Sequence, residues 1–114
     1  MKSVLLVEDD SLIAMDICQE LQDLGLNVKH ASTVSAAFAT FSEACPDGAI
    51  LDMQIRSETT FEFALKLRAA GVPFFFLSGN SASALPDELS DSRIIGKPVD
   101  FRKLQDAVDN MFAE

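Results

Sequence analysis

The sequence has little positive charge, few cysteines and no long apolar run, and each shortage removes a class of function. Nine lysines and arginines stand against eighteen aspartates and glutamates, a net charge of −9 with a pI near 4.4. A surface that acidic repels phosphate backbones and anionic lipids, so neither a nucleic acid nor a membrane is expected as a partner. The two cysteines, Cys18 and Cys45, lack the short paired spacing of a zinc or redox motif and are expected to be reduced, buried thiols. No apolar stretch approaches the ~20 residues a membrane helix needs. The amino terminus has no signal-peptide pattern, because the apolar run after Lys2 ends at Glu8-Asp9-Asp10. Repeats, low-complexity segments and linkers are absent as well. What remains is a soluble cytoplasmic domain of 114 residues. With 48% hydrophobic residues it can bury a core, and it has room for one domain.

Two hydrophobic periods alternate along the chain. Ser3 to Val7 is a continuous apolar run, as expected of a strand buried on both faces. Ile13, Ile17, Leu21 and Leu24 form a helical stripe over Ser11 to Leu24. Asp10 or Ser11 can cap that helix, and Gly25 suits its end. Leu26 to Ala31 alternates as a second strand, and Val34, Ala37, Phe38 and Phe41 mark a second helix that stops before Pro46-Asp47-Gly48. Ala49 to Leu51 is a third strand ending at Asp52, Phe61 to Ala70 a third helix closed by Gly71, and Val72 to Leu77 a fourth strand. One short helical turn around Pro86 to Leu89 precedes Ile94-Ile95, and Asp100 caps a last helix carrying Phe101, Leu104, Val108 and Met111. This alternation predicts an α/β fold, a parallel sheet with helices on both faces.

Ligands of such sheets sit at the carboxyl ends of the strands, near the switch in strand order. There the chain places Glu8-Asp9-Asp10, Asp52, Ser78 and Lys97-Pro98. Acids gathered in one crevice repel one another unless a cation compensates. Mg²⁺, which takes one or two carboxylates, a carbonyl and waters, fits that need. An aspartate can act as nucleophile and hold a phosphoryl group, with a lysine and a hydroxyl serving its oxygens.

Val4-Leu5-Leu6-Val7-Glu8-Asp9-Asp10, Ile50-Leu51-Asp52-Met53, Leu77-Ser78-Gly79 and Gly96-Lys97-Pro98 resemble, in order and spacing, the receiver domain of bacterial two-component response regulators. The resemblance covers nearly the whole chain. It implies a CheY-like, flavodoxin-like, doubly wound (βα)5 fold with strand order 2-1-3-4-5. It also implies Asp52 as phosphoacceptor, with Glu8 and Asp9 as the acidic pair and Asp9 the more direct ligand of Mg²⁺. Gln54 would lend its backbone carbonyl to the metal, Ser78 would be the switch hydroxyl, and Lys97 would contact the phosphoryl oxygen. A cis bond before Pro98 is implied too. The donor would be a sensor histidine kinase or a histidine phosphotransfer protein. With 1–114 read as a receiver without an output domain, the signal would leave through another protein, or the domain would serve as a phosphate sink. A monomer or weak dimer is expected, and no turnover of an external substrate.

Three departures from the family pattern matter. Ile94 stands where receivers usually carry an aromatic residue, three positions before the lysine. Arg56-Ser57-Glu58-Thr59-Thr60 replaces the common Pro-Gly pair after the phosphoacceptor, and the fourth helix should be stunted. The short fourth helix and Phe76-Leu77-Ser78-Gly79-Asn80 resemble the FAT GUY receivers of alphaproteobacteria, which typically have an alanine, a threonine and a final aromatic at the places of Leu77, Ser78 and Asn80. The signal would then leave near residues 79 to 95. A phosphorylation-independent pseudo-receiver is the alternative that Ile94 motivates. A dehalogenase-type phosphatase would need a second acid where Gln54 stands.

The remaining residues have plainer readings. Asp10 is expected to be a cap, Arg56 a solvated loop charge, and His30 a strand-end residue without chemistry. Met15, Met111 and the phenylalanines of the fourth strand are expected in the core.

Overall fold

The computed structural model describes residues 1–79 and 85–113. Its five-stranded parallel sheet consists of β1 (Ser3–Val7), β2 (Asn27–Ala31), β3 (Gly48–Asp52), β4 (Phe74–Ser78) and β5 (Ile94–Gly96), in the order β2-β1-β3-β4-β5. The helices are α1 (Ser11–Asp23), α2 (Val34–Glu43), α3 (Phe61–Ala69) and α4 (Phe101–Met111). This is the flavodoxin-like, CheY-like arrangement that the alternation and the resemblance led us to expect.

Side-chain alternation in β1 divides the core into two layers. Leu5 and Val7 face α2 and α3, packing with Leu51, Phe63, Leu67 and Phe76. Val4 and Leu6 face α1 and α4, packing with Ile17, Leu21, Leu104 and Val108. A strand covered on both sides has no solvent face to mark with polar residues, hence the unbroken apolar run. Each large side chain buried this way is worth about 1.5–3 kcal/mol relative to exposure.

Local signals set the ends of the elements. Asp10 Oδ1 accepts from the N–H groups of Leu12 and Ile13, and Asp100 Oδ1 from those of Arg102 and Lys103. Gly25 (φ 85°) and Gly71 (φ 75°) turn the chain after α1 and α3 through the left-handed region. Between β4 and β5 the described residues contain only the 3₁₀ turn Asp87–Leu89, the stunted crossover expected there. The rest of that reading, over 80–84, lies outside the described residues.

Four expectations about side chains need correction. Cys45 is exposed, on the short loop between α2 and β3, and Cys18 is only half-buried. Met15 is 63% exposed because helical spacing puts it on the face of α1 opposite Ile17 and Leu21. Phe101, in the first turn of α4, is 40% exposed rather than part of the core. Phe75 and Phe76 are buried, whereas Phe74 and Met111 are half-buried at the edges of the two layers.

Candidate functional site

The switch in strand order falls between β1 and β3, whose successors run to opposite sides of the sheet. The chain leaving β1 therefore opens a crevice at the carboxyl edge. Glu8 follows β1 directly, and its backbone is held from β2: Glu8 N–H donates to Ala31 O at 3.1 Å, and His30 Nε2 lies 2.7 Å from Glu8 O. A carbonyl only accepts, so Nε2 carries the proton. His30 thus has a structural task at the site that a lone strand-end histidine does not announce. The Glu8 carboxylate is fully buried; Oε2 accepts from Asp10 N–H at 3.0 Å.

Asp52 ends β3, and Lys97 follows β5. Lys97 Nζ donates to Asp52 Oδ2 and Glu8 Oε1, each at 2.7 Å. The Lys97–Pro98 peptide is cis. Asp9 completes an acidic trio with Glu8 and Asp52, their ligand oxygens all within 4.8 Å of one another. Ser78, buried at the end of β4, lies one strand away, and its carbonyl accepts from Lys97 N–H at 2.8 Å. Gln54 N–H approaches Asp52 Oδ1 at 3.4 Å. Of the residues singled out in sequence at the strand ends, Glu8, Asp9, Asp52 and Lys97 therefore meet in one crevice, with Ser78 linked to Lys97 through its backbone and Asp10 turned to cap α1.

Burial pushes the Glu8 carboxyl up; hydrogen bonds from Lys97 and Asp10 N–H oppose this in part, and the charge of Asp52 adds to the rise. For Lys97 burial works toward deprotonation, but hydrogen bonds and charge from Asp52 and Glu8 outweigh it and raise the ammonium's pKa. Slight burial works against ionisation of Asp9, yet hydrogen bonding with Glu8 and from Arg56 N–H leaves it below the usual carboxylate range.

The polar loop after Asp52 is not irregular. Gln54–Ile55 pairs with Glu58–Thr59 as a small antiparallel hairpin, with Arg56 at its tip in the left-handed region (φ 58°). The Arg56 side chain is exposed, as expected, but its N–H donates to Asp9 Oδ2 at 3.2 Å. Thr60, at the base of the hairpin, is fully buried and donates from Oγ1 to Asp52 O at 2.7 Å. Neither contact is visible in sequence. A threonine before a helix suggests a cap, which is the one signal that could have drawn attention to it.

The family model for the response regulator receiver domain matches residues 4–109. The chain belongs to that family. Over 76 residues this receiver is 34% identical to the response regulator protein GraR of Staphylococcus epidermidis, a match covering 66% of the chain but 34% of that protein. The matched segment thus spans about a third of the length of such curated relatives. The solution structure of SdrG from Sphingomonas melonis is 29% identical, with a TM-score of 0.85 over 99% of this chain and 98% of that one. Vibrio cholerae chemotaxis protein CheY4, at 24% identity and a TM-score of 0.83 over 98% of this chain and 99% of that one, shares the fold.

Receiver domains bind Mg²⁺ at an acidic pocket, and response regulators are phosphorylated by histidine kinases or phosphotransfer proteins. The donors in this receiver suit the metal. Glu8, Asp9 and Asp52 present only hard carboxylate oxygens, and together they need more positive charge than one lysine brings. Among the described residues no helix is long and apolar enough to cross a membrane.

Proposed function

We propose that this receiver accepts a phosphoryl group on Asp52 from the phosphohistidine of a sensor kinase or phosphotransfer protein. An Asp52 oxygen forms a bond to phosphorus while the phosphorus–nitrogen bond of the donor breaks, leaving the histidine to retain the electron pair. Lys97, already hydrogen-bonded to Asp52, holds the oxygen acceptor in place and remains beside the charge that the product adds. Ser78 would donate to a phosphoryl oxygen. Asp9, Asp52 and Glu8, with the Gln54 carbonyl, would hold Mg²⁺, which when bound neutralises charge between the carboxylates and the incoming group. The observation that carries this reading is the meeting of Glu8, Asp9, Asp52 and Lys97 at the carboxyl ends of β1, β3 and β5.

The receiver is read as a carrier rather than a turnover enzyme, signalling by binding another protein or drawing phosphate from another regulator. The 3₁₀ turn at Asp87–Leu89 supports the short-crossover, FAT GUY type as part of this proposal. Ile94, 42% exposed where receivers usually carry an aromatic residue, supports a second reading, a pseudo-receiver that binds its partner regardless of phosphorylation.

Incubation with Mg²⁺ and acetyl phosphate, followed by intact mass, tests the first reading. The wild type should gain one phosphoryl group and Asp52→Asn none. Equal labelling of both removes the assignment. If Asp52→Asn also preserves partner binding and phenotype, the pseudo-receiver reading stands instead.

A further inference from the structure

We infer that Thr60 is a positioning residue for Asp52. Its hydroxyl fixes the peptide that carries the phosphoacceptor and closes the hairpin beside the site. The inference rests on the reading of Asp52 as the residue that takes the phosphoryl group.

The Asp52 carbonyl lies just beyond the end of the β1–β3 ladder. Ala49 and Met53 turn their N–H groups toward the β4 side, donating to Pro73 O and Leu77 O at 3.0 and 2.8 Å. By the two-residue alternation of a strand, the polar groups of Asp52 turn toward the β1 side. There the pairing of β1 with β3 ends at Val7 and Leu51, because β1 has already given way to Glu8. The Asp52 carbonyl therefore has no ladder partner, and a buried carbonyl without a donor is destabilising. Thr60 Oγ1 supplies the donor at 2.7 Å, with Met53 O at 3.4 Å as a weaker second acceptor.

Asp52 C=O and Met53 N–H belong to one planar peptide unit. Thr60 holds its oxygen and Leu77 its N–H, so the plane cannot rotate about the chain axis. With the plane fixed, the Asp52 side chain leaves the backbone in one direction, toward Lys97 Nζ. Thr60 N–H also donates to Met53 O at 3.1 Å, closing the base of the hairpin whose tip brings Arg56 N–H to Asp9. Thr60 stands at the cap position of α3 and makes no side-chain cap bond. Its hydroxyl serves Asp52 instead of its own helix.

Thr60→Val keeps the shape and removes the hydroxyl, while Thr60→Ser keeps the hydroxyl and removes the methyl group. Initial rates of labelling by acetyl phosphate are read by intact mass at saturating Mg²⁺, well below each variant's melting temperature. A positioning role predicts Thr60→Val slowed about tenfold and Thr60→Ser within about twofold of wild type. A packing role predicts the reverse order, with valine unimpaired and serine the weaker variant. Valine at the wild-type rate overturns the inference. Should the valine variant not fold, Thr60→Ala takes its place in the comparison with Thr60→Ser: alanine slowed and serine not supports the inference, and both equally slowed overturns it. Asp52→Asn is the control. Labelling that persists in that variant shows the phosphoacceptor reading itself to be wrong, and this inference falls with it.

Discussion

Lys97 Nζ lies 2.7 Å from Asp52 Oδ2, the length of a charge-assisted hydrogen bond, and the same ammonium reaches Glu8 Oε1 at 2.7 Å. One cation thus separates two carboxylates that are otherwise buried together. Lys97→Met should leave Glu8 without a countercharge and lower stability. A fully buried pair broken on one side costs about 3–5 kcal/mol. Lys97 is 17% exposed and Glu8 can take up a proton, so the expected loss is smaller, about 1–3 kcal/mol. Mg²⁺ should recover much of it by supplying charge to the same carboxylates. Urea unfolding with and without MgCl₂ reads both effects. A variant as stable as wild type in the absence of metal would show that the lysine is not the countercharge.

The pKa directions give a pH dependence. Glu8 titrates above its ordinary 4.5 in the folded chain, so its contribution is full below about pH 4.5 and is lost as pH rises through the raised value. Lys97, raised above 10.5, contributes throughout the neutral range and loses that contribution only as pH climbs past its folded value. Asp9, lowered from 3.8, contributes above that value and loses its share as pH falls through the lower one. The ionised form of Glu8 is therefore the costlier one in the metal-free protein, and it is also the form a metal needs. The melting-temperature increase caused by Mg²⁺ should be larger at about pH 7.5 than at about pH 5. Equal increases at the two pH values would mean that Glu8 is not part of the responding site.

How much of this was legible in sequence follows from which contacts are local. Asp10, Asp100, Gly25 and Gly71 act within a few residues of themselves, so caps and turns could be read from neighbours. The meeting of Asp9, Asp52 and Lys97 was legible for a different reason: parallel connection makes strand ends coincide, whatever the loops do. Thr60 and His30 escaped because each acts on a carbonyl, Asp52 O and Glu8 O, and carbonyls leave no trace in a side-chain pattern. The hairpin over 54–59 escaped because none of its residues alternates in polarity as a half-buried strand would. Met15 was misplaced by residue type alone. Its position two residues from both Ile13 and Ile17 already put it on the outer face of α1.

Asp10 separates the cap from the acidic trio beside it. Its Oδ1 accepts from Leu12 N–H at 3.0 Å and Ile13 N–H at 3.2 Å, and it is absent from the cluster of Glu8, Asp9 and Asp52. Asp10→Ala should lose about 1 kcal/mol as a cap while Asp10→Asn stays close to wild type, since asparagine caps equally well. Neither should change the Mg²⁺ concentration that gives half-maximal thermal stabilisation by more than about twofold. If Asp10→Asn weakened the metal response as strongly as Asp9→Asn, the division between cap and ligand would be wrong.

Among the described residues, the crossover between β4 and β5 has only the 3₁₀ turn Asp87–Leu89, and Arg68 helps to hold that segment. From the last turn of α3 its guanidinium donates to Glu88 O, to Asp91 Oδ1 at 3.2 Å and to Ser92 Oγ at 3.3 Å, while lying over the Phe74 ring at 5.5 Å. Leu89, buried in the layer of α2 and α3, is the apolar anchor beneath it. The ion pair with Asp91 is well exposed and adds little to global stability, so Arg68→Lys should cost no more than about 1 kcal/mol. Its local effect should be larger, because a lysine cannot reproduce a planar fork that reaches three acceptors at once. The N–H groups of Leu89, Ser90 and Ser92 are protected only by short-range bonds to Pro86, Asp87 and Leu89 carbonyls. In Arg68→Lys their hydrogen exchange should accelerate about tenfold, while amides of β1 and β3 change only by the small global loss. Unchanged exchange at those three amides would show that Leu89 alone holds the crossover and that the guanidinium does not contribute.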